Sequence, residues 1–282
     1  MKGILTVEDH NRDVAGLKYV YPVVSRRAGG VSVGINLNTN NACNWHCVYC
    51  QVPDLTRGRA PEIDVDRLER ELERMLFDIR DGDFMIRHVD APLRRLCDIA
   101  FSGNGEPTSA AGLANIVERV GKVRERLGYG NEVPLRLITN GSLVGQEGVL
   151  DGIGRLARFA GEVWFKVDAI STEDIRRING VERDATSMAR QLARCAGQCP
   201  TWVQTCMFGW DGEPPSDAAI QAYLDFLQGA ASDGVRGVLL YGVARPSLQP
   251  EAGHVSRLPR EWLERLGRRI VNETGLTTSV SP

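Results

Sequence analysis

Three cysteines lie close together in the stretch CNWHCVYC, which covers residues 43–50. Cys43, Cys47 and Cys50 are four and three positions apart, so all three thiolates can reach one metal centre from a single loop. Thiolate sulfur favours iron–sulfur clusters, zinc or cuprous ion. A [4Fe–4S] cube takes four thiolates, so three would leave one iron open for a small molecule to bind and react. The stretch therefore predicts a metal centre with these three cysteines as its ligands.

Zinc and a disulfide framework are the alternatives for these thiols. A structural zinc ion needs a fourth ligand, and His46 sits between two of the cysteines, where it cannot easily point the same way. The chain has seven cysteines, an odd number, and nothing in it marks secretion, which argues against a disulfide framework. A non-catalytic iron–sulfur or zinc module stays open at this point.

Strand patterns alternate with helix patterns six times along the chain. Strands are predicted at residues 31–38, 96–102, 134–139, 162–168, 201–208 and 236–242. Helices are predicted at residues 64–80, 109–128, 171–179, 183–198, 216–230 and 258–274, and Gly275 stops the last of them. A further helix follows the third strand and ends near residue 159. Such alternation is typical of a parallel sheet with helical crossovers.

Polar side chains recur on one face of these strands, although covered parallel strands are normally apolar on both faces. Asp98, Lys166 and Gln204 each fall on that polar face. A sheet curled around a cavity would explain them better than a packed interior. Because six strand–helix units are fewer than the eight of a closed TIM barrel, the predicted fold is α/β, a partial (β/α)6 barrel. We expect a single domain over residues 1–282, with residues 1–30 as a lead-in segment.

Polar motifs follow the carboxyl ends of the predicted strands, the edge at which barrel enzymes carry their active sites. The sequence GNGEPT (103–108) follows the second strand, Asn140 follows the third, and Lys166 and Asp168 end the fourth. Glycine lets a backbone approach a ligand closely, and the Glu106 carboxylate can accept hydrogen bonds from an ammonium group. An ordinary turn at 103–108 and an internal Lys166–Asp168 salt bridge are the simpler interpretations.

The Cys motif, C-x-x-x-C-x-x-C with the aromatic Tyr49 before the last cysteine, resembles the signature of the radical S-adenosylmethionine (SAM) enzymes. The resemblance implies a [4Fe–4S] cluster whose fourth iron binds the amino and carboxylate groups of SAM. It also implies that one electron from the cluster cleaves SAM to methionine and a 5′-deoxyadenosyl radical, which abstracts hydrogen from a substrate. An electron donor such as flavodoxin or ferredoxin is the partner this chemistry needs. The partial barrel is the fold of the same family.

The resemblance also suggests roles for the polar motifs. GNGEPT looks like the family's G-G-E-P element, which binds the amino group of SAM, although Asn104 stands where the family usually has glycine. Positions similar to Asn140, Lys166 and Asp168 hold the ribose and carboxylate of SAM in related enzymes. The residues assigned to the cofactor are Tyr49, Gly103, Asn104, Gly105, Glu106, Asn140, Lys166 and Asp168. No catalytic residue beyond the cluster is predicted.

The substrate side is predicted to contain Gln204, Cys206, Tyr241 and Arg245. The Tyr241–Pro246 pattern Y-x-x-x-R-P and the sequence YPVVSRRAGG (21–30) both resemble the wyosine-synthase-like branch of the family. Enzymes that build wyosine on transfer RNA carry a second cluster on N-terminal cysteines, and this chain has no cysteine before Cys43. The substrate therefore stays open between a small molecule, a peptide and RNA, and an enzyme that activates another protein is a further alternative.

The overall charge gives no support for nucleic-acid binding. The 282 residues contain 34 basic and 36 acidic side chains, for a net charge of −2 and no evident basic patch. The first twenty residues contain Glu8, Asp9 and Asp13 where a signal peptide would be apolar, and no run of eighteen apolar residues occurs. A cytoplasmic enzyme with reduced thiols and no membrane segment is the resulting prediction.

The remaining thiols do not predict a second cluster. Cys199 precedes the fifth strand and Cys206 lies near its end, about 23 Å away along an extended chain. One compact cluster cannot span that distance. We expect Cys206 to share the inward face with Gln204.

Overall fold

The strands and helices alternate as the sequence pattern predicts. The computed structural model describes residues 4–5, 16–25 and 29–282. In chain order the strands are β1 (Val20–Ser25), β2 (Gly30–Ile35), β3 (Ala42–Cys43), β4 (Thr56–Arg57), β5 (Leu96–Phe101), β6 (Leu135–Thr139), β7 (Glu162–Lys166), β8 (Thr201–Met207), β9 (Gly209–Trp210), β10 (Gly237–Gly242), β11 (Val255–Ser256) and β12 (Thr277–Ser281). The helices are α1 (Val65–Arg80), α2 (Phe84–His88), α3 (Leu113–Arg126), α4 (Glu147–Arg158), α5 (Thr172–Asn179), α6 (Ala185–Ala196), α7 (Asp217–Ser232) and α8 (Arg260–Thr274). None of the helices in the described part of the chain is long and apolar enough to cross a membrane.

One eight-stranded sheet carries the fold, in the order β1-β2-β5-β6-β7-β8-β10-β12. Neighbouring strands are parallel from β2 to β12, and β1 alone runs antiparallel, against β2. The sheet curls into a half-barrel, and the helices of the crossovers cover its outer face. The predicted partial α/β barrel is confirmed, with its six central strands where the sequence predicts them.

Two edge strands were not predicted. β1 lies within the predicted lead-in segment and contains Pro22, a residue that sheets tolerate at an edge because it cannot donate to the ladder. β12 is a short, partly exposed run of polar and β-branched residues, TTSVS, which lacks a clear apolar period. The segment between α1 and β5, for which the pattern predicts neither a strand nor one of the long helices, contains the short helix α2.

The two faces of the sheet differ in polarity, as the strand patterns predict. Val33, Phe101 and Val163 are fully buried in the main hydrophobic core between the sheet and the helices. The alternate positions face inward and are polar: Ser32 and Asp98 are hydrogen-bonded to each other and buried. Parallel strands of alternating polarity therefore enclose a polar interior instead of a second apolar layer.

Helix ends follow recognisable capping signals. Ser171 caps the start of α5 by accepting a hydrogen bond from the Asp174 backbone N–H (3.0 Å). Gly180 ends the same helix in the left-handed conformation, with φ of 65°. Gly275 stops α8 in the same way, with φ of 72°, as the sequence predicts. The end of α5 matters most, because it lies against the Cys loop.

Candidate active site

The Cys loop (residues 43–50) follows β2 and lies at the carboxyl edge of the barrel. Cys43 ends β3, which pairs in parallel with β4, so the chain returns beside its own entry to the loop. All three thiols are half-buried. Burial raises the pKa of Cys43 to about 11 and that of Cys47 to about 12, so these two thiols keep their protons at neutral pH until a metal displaces them. Within the described residues, no three His, Cys, Asp or Glu side chains are already placed close enough together to hold one metal ion.

Two side chains in the segment after β10 donate hydrogen bonds to backbone carbonyls in and just after the Cys loop. Ser247 donates its hydroxyl hydrogen to the carbonyl oxygens of Val48 (2.6 Å) and Cys50 (3.2 Å). Gln249 donates through Nε2 to the carbonyls of Cys50 (3.2 Å) and Val52 (2.8 Å). Sequence reasoning missed both residues, because they are polar loop residues almost 200 positions from the loop they contact. Only the Arg245-Pro246 motif beside them pointed to this segment.

Glu106 in the GNGEPT loop is buried and fully engaged by protein donors. Its Oε1 accepts from the Thr108 N–H (3.1 Å), the Thr108 hydroxyl (2.6 Å) and the Thr139 hydroxyl (2.6 Å). Its Oε2 accepts from the Asn140 N–H (2.7 Å). Burial raises the pKa of Glu106 above its ordinary value, while these donors oppose the shift. The carboxylate thus fixes the loop after β5 to the end of β6.

Gly105 is constrained by the protein itself. A Cβ at this position would overlap the carbonyl oxygen of Ala42 and come within 2.7 Å of Asn38. The missing side chain lets the loop after β5 pack directly on the entry to the Cys loop. That the glycine also lets a ligand approach the backbone stays a prediction.

Asn104, which replaces a glycine of the family pattern, has one unsatisfied polar atom. Its Nδ2 donates to Asn41 Oδ1 (2.6 Å) and its backbone N–H to Asn36 Oδ1 (3.1 Å). Its own Oδ1 is buried and has no hydrogen-bond partner among the described residues. A ligand with an N–H group could supply that partner.

Asn140 connects the end of β6 to the Cys loop. Its Nδ2 donates to Asn44 Oδ1 (2.9 Å), and its Oδ1 accepts from the Ser142 N–H (3.0 Å) and hydroxyl (2.7 Å). Asn44 donates in turn to the Ser142 hydroxyl (2.7 Å). These three side chains form a closed polar group next to Cys43.

Asp168 joins three elements just beyond β7. Its Oδ2 accepts from the Tyr49 hydroxyl and from Asn179 Nδ2 (3.0 Å), and its Oδ1 accepts from the Cys206 N–H (3.0 Å). Lys166 Nζ lies 3.8 Å from Oδ2 and donates to the Tyr241 hydroxyl (3.2 Å). Burial disfavours the charged form of Lys166, but Asp168 and its other neighbours raise the lysine pKa above its ordinary value. A fixed positive charge therefore lies inside the barrel mouth.

A cavity of about 300 Å³ brings most of the predicted residues together. The predicted residues that line it are Cys43, Cys47, Tyr49, Cys50, Gly103, Asn104, Gly105, Glu106, Asn140, Lys166 and Arg245. Asp168, Gln204, Cys206 and Tyr241 are not part of this lining. Cys206 instead packs with Val48 and Phe208 beneath the Cys loop, and Tyr241 lies against that group. Gln204 is buried on β8, opposite Lys166.

The far part of the cavity contains a charged residue, Arg136, that sequence reasoning did not single out. Arg136 donates to Asp98 and, through Nε, to Glu162 Oε1 (2.6 Å). The guanidinium also lies over the ring of Trp164, 4.7 Å from its centroid. Arg136 and Ile138 are the alternate, inward-facing residues of the β6 sequence LRLIT, so the alternation of that strand was the signal that could have found Arg136.

The family model of the radical SAM superfamily matches residues 37–224, about two thirds of the chain. This chain belongs to the radical SAM superfamily. The matched region includes the Cys loop and every strand from β3 to β9.

Curated relatives match only parts of the chain. The UPF0026 protein MJ1312 of Methanocaldococcus jannaschii is 31% identical over 166 residues, and the UPF0026 protein slr1464 of Synechocystis is 27% identical over 164 residues. These matches cover 58% and 57% of this chain, and 44% and 52% of the relatives. A match to GTPase Obg of Brachyspira hyodysenteriae, 29% identical, covers 44% of this chain and 15% of that protein. The chain thus spans about half or less of these relatives.

Solved structures of radical SAM enzymes share the fold. A radical SAM methyltransferase from Sphaerobacter thermophilus aligns with a TM-score of 0.60 at 18% identity, covering 89% of this chain and 66% of that one. SuiB of Streptococcus suis, bound to S-adenosylmethionine, aligns with a TM-score of 0.53 at 10% identity, covering 88% of this chain and 45% of that one. At these identities the likeness concerns the fold alone.

Radical SAM enzymes use a [4Fe–4S] cluster and SAM, and this chain offers groups that suit both. Three thiols on one loop suit a cluster with one open iron. The cavity beside them reaches the lower end of the usual range for ligand sites, and it contains an unsatisfied acceptor at Asn104. The residues present therefore fit the two groups. The assignment to the wyosine-like branch stays a prediction, and part of its motif, residues 26–28, lies outside the described residues.

Proposed function

We propose that this radical SAM enzyme cleaves S-adenosylmethionine reductively and abstracts hydrogen from a substrate. The observation that carries the proposal is one cavity in which the three cysteines meet seven of the eight residues assigned to the cofactor, all but Asp168. When bound, the cluster and SAM would supply one-electron reduction and a 5′-deoxyadenosyl radical. The reductant is a one-electron donor, for which flavodoxin or ferredoxin is our proposal.

Cys43, Cys47 and Cys50 would hold the cluster. Gly103–Glu106 and Asn140 would form the side of the cavity that binds the methionine end of SAM, with Asn104 Oδ1 as an acceptor still available. Lys166 contributes positive charge, which suits a carboxylate, and the ring of Tyr49 lies 5.0 Å below that ammonium. Asp168 acts by holding Tyr49 and the Cys206 backbone in place.

The substrate would lie in the part of the cavity nearer Arg245 and Arg136. We propose that Gln204, Cys206 and Tyr241, which share the inward face of β8 and β10, form the floor behind it. Arg136 has two carboxylate partners, Asp98 and Glu162, so its positive charge is already offset within the protein. A small molecule, a peptide and RNA remain the candidate substrates. A single domain and a cytoplasmic location also remain our proposals.

Anaerobic reconstitution with iron and sulfide tests the function. Protein with a loaded cluster should form 5′-deoxyadenosine from SAM in the presence of dithionite. The Cys47→Ala protein should lose both the cluster absorption and this product. Cys199→Ala is the matched control, because Cys199 is a buried thiol whose Sγ contacts the Gly161 carbonyl (3.2 Å) in the outer layer. Product formation by the Cys47→Ala protein would contradict the proposal.

A further inference from the structure

Asn179, the last residue of α5, contacts a proposed cluster ligand directly. Its Nδ2 lies 3.3 Å from the Sγ of Cys47 and 3.0 Å from Oδ2 of Asp168. The side chain is almost fully buried, with 1% of its surface exposed. Sequence reasoning gave this residue no role, since a single asparagine at a helix end is an ordinary feature.

The orientation of the Asn179 amide follows from its neighbours. Both atoms that Nδ2 meets are acceptors, the thiol or thiolate sulfur of Cys47 and the carboxylate of Asp168. An amide NH₂ has two hydrogens and the amide oxygen has none, so only the orientation with nitrogen toward these atoms satisfies them. Each hydrogen therefore has one acceptor, and the amide is fixed in place.

Backbone carbonyls at the end of α5 accept hydrogen bonds from the Cys loop on both sides of Cys47. The Asn179 carbonyl accepts from the His46 N–H (2.9 Å), and the Ile178 carbonyl accepts from the Val48 N–H (2.9 Å). These carbonyls are among the four that a helix end leaves without internal partners. A Cβ at Gly180 would come within 3.0 Å of His46, so the glycine permits this close contact.

The amide and the helix end have opposite electrostatic effects on a cluster at Cys47. The carbonyl end of a helix is its negative pole and disfavours added negative charge. A hydrogen-bond donor to a ligating sulfur favours added negative charge, and hydrogen bonds to the sulfurs help to set the reduction potential of iron–sulfur clusters. Through the Asn179 amide N–H, α5 therefore presents a partial positive charge to the Cys47 sulfur, in contrast to its carbonyl end.

We propose that Asn179 is a positioning residue that donates to the Cys47 thiolate and raises the reduction potential of the cluster. The inference rests on the proposed function, because it requires the cluster on Cys43, Cys47 and Cys50. One electron enters the cluster from an external one-electron donor, and no proton moves. The donor bond strengthens as the sulfur becomes more negative, so it stabilises the reduced form more than the oxidised form.

Redox titration of the reconstituted protein, followed by the electron paramagnetic resonance signal of the reduced cluster, tests the inference. Asn179→Leu removes the donor at similar volume. We expect the equilibrium constant for one-electron reduction to fall about tenfold, which lowers the midpoint potential by about 59 mV. Asn179→Ala serves as the second variant if leucine prevents folding. Asn272→Leu, an exposed substitution on α8, should leave the potential unchanged.

A second readout separates the hydrogen bond from a structural effect. After exchange into deuterated buffer, electron–nuclear double resonance should detect an exchangeable deuteron coupled to the reduced cluster. The coupling should be lost in Asn179→Leu and kept in Asn272→Leu. A loaded Asn179 variant with the wild-type potential and the same deuteron coupling would overturn the inference and leave the proposed function intact. Wild-type protein that takes up no cluster would overturn both.

Discussion

Tyr49 donates its hydroxyl hydrogen to Oδ2 of Asp168, which joins the Cys loop to the end of β7 across 119 positions of sequence. The same carboxylate accepts from Asn179 and from the Cys206 backbone. The tyrosine ring also packs against Phe208, with 5.6 Å between ring centroids. The Tyr49 side chain therefore connects the Cys loop to residues just beyond the carboxyl ends of β7 and β8.

Tyr49→Phe should weaken SAM binding without removing the cluster. Loss of the hydroxyl leaves Asp168 with two donors instead of three, so the ring and the carboxylate are held less firmly. We expect the free energy of unfolding to fall by about 1–3 kcal/mol, the usual cost of losing a partner of a buried charged group. Calorimetry on loaded protein should show SAM affinity reduced several-fold, with iron content unchanged.

Tyr129→Phe is the control for that change. Tyr129 lies just after α3 and outside the cavity lining. Its hydroxyl donates to the carbonyl of Leu76 in α1 (2.9 Å). Its loss should lower stability and leave SAM affinity at the wild-type value. Equal losses of affinity in both variants would show that the Tyr49–Asp168 contact has no special part in binding.

Gly105→Ala should damage the metal site through packing. The added methyl group would overlap the Ala42 carbonyl, so the loop after β5 must move away from the entry to the Cys loop. Overpacking of this kind costs about 1–3 kcal/mol. Thermal unfolding should show the loss, and iron content after reconstitution should drop. Gly229→Ala in α7, where a Cβ meets nothing within 4 Å, should be neutral or stabilising.

The sequence alone predicts much of this architecture because periodicity is a local property. Polar residues such as Asp98 and Lys166 alternate with apolar ones along their strands, and that alternation predicts the curled sheet. β12 has no comparable pattern. It forms by pairing with β10, and its own sequence does not indicate that pairing. β1 has the same difficulty, since its apolar run is interrupted by Pro22.

The candidate site is predictable to the extent that its residues belong to compact motifs. Cys43–Cys50 and Gly103–Glu106 are contiguous, and their spacing carries chemical information. Gln249 and Asn179 contact the Cys loop just as directly, but each is a lone polar residue in its own segment. Such contacts arise from tertiary packing, so one sequence cannot reveal them.

Glu71→Gln should destabilise the junction between α1 and β1. Glu71 Oε2 accepts from the Tyr19 N–H (2.7 Å), and Oε1 accepts from the Lys18 N–H (3.0 Å) and Arg67 Nε (2.8 Å). An amide NH₂ in place of one oxygen would face these donors. The expected loss is about 1–3 kcal/mol in urea unfolding at pH 7.

The pH dependence of that loss has a definite sign. Burial alone would raise the pKa of Glu71, but the Tyr19, Arg67 and Lys18 donors lower it below its ordinary value. A carboxylate with a lowered folded-state pKa stabilises the protein above its unfolded pKa, about 4.3, and loses that effect as the pH falls through the folded value. The difference between wild type and Glu71→Gln should therefore shrink below about pH 4. Glu73→Gln, which breaks an exposed pair with Arg126, should cost less than about 1 kcal/mol at pH 7.

The loaded protein should contain a single cluster, about four irons per chain. Cys195 and Cys199 lie in the main core of the outer layer, whereas Cys206 packs with Val48 on the inner side. Burial raises the pKa of Cys195 and Cys199 to about 12, as it does that of Cys47, so their position away from the cavity lining, and not their pKa, is what separates them from the cluster. Replacing Cys195, Cys199 or Cys206 by alanine should keep the iron content of the wild type, although each removes a buried sulfur and lowers stability. Iron analysis near eight per chain, or a cluster lost with any one of these three thiols, would show that a second set of cysteines binds metal.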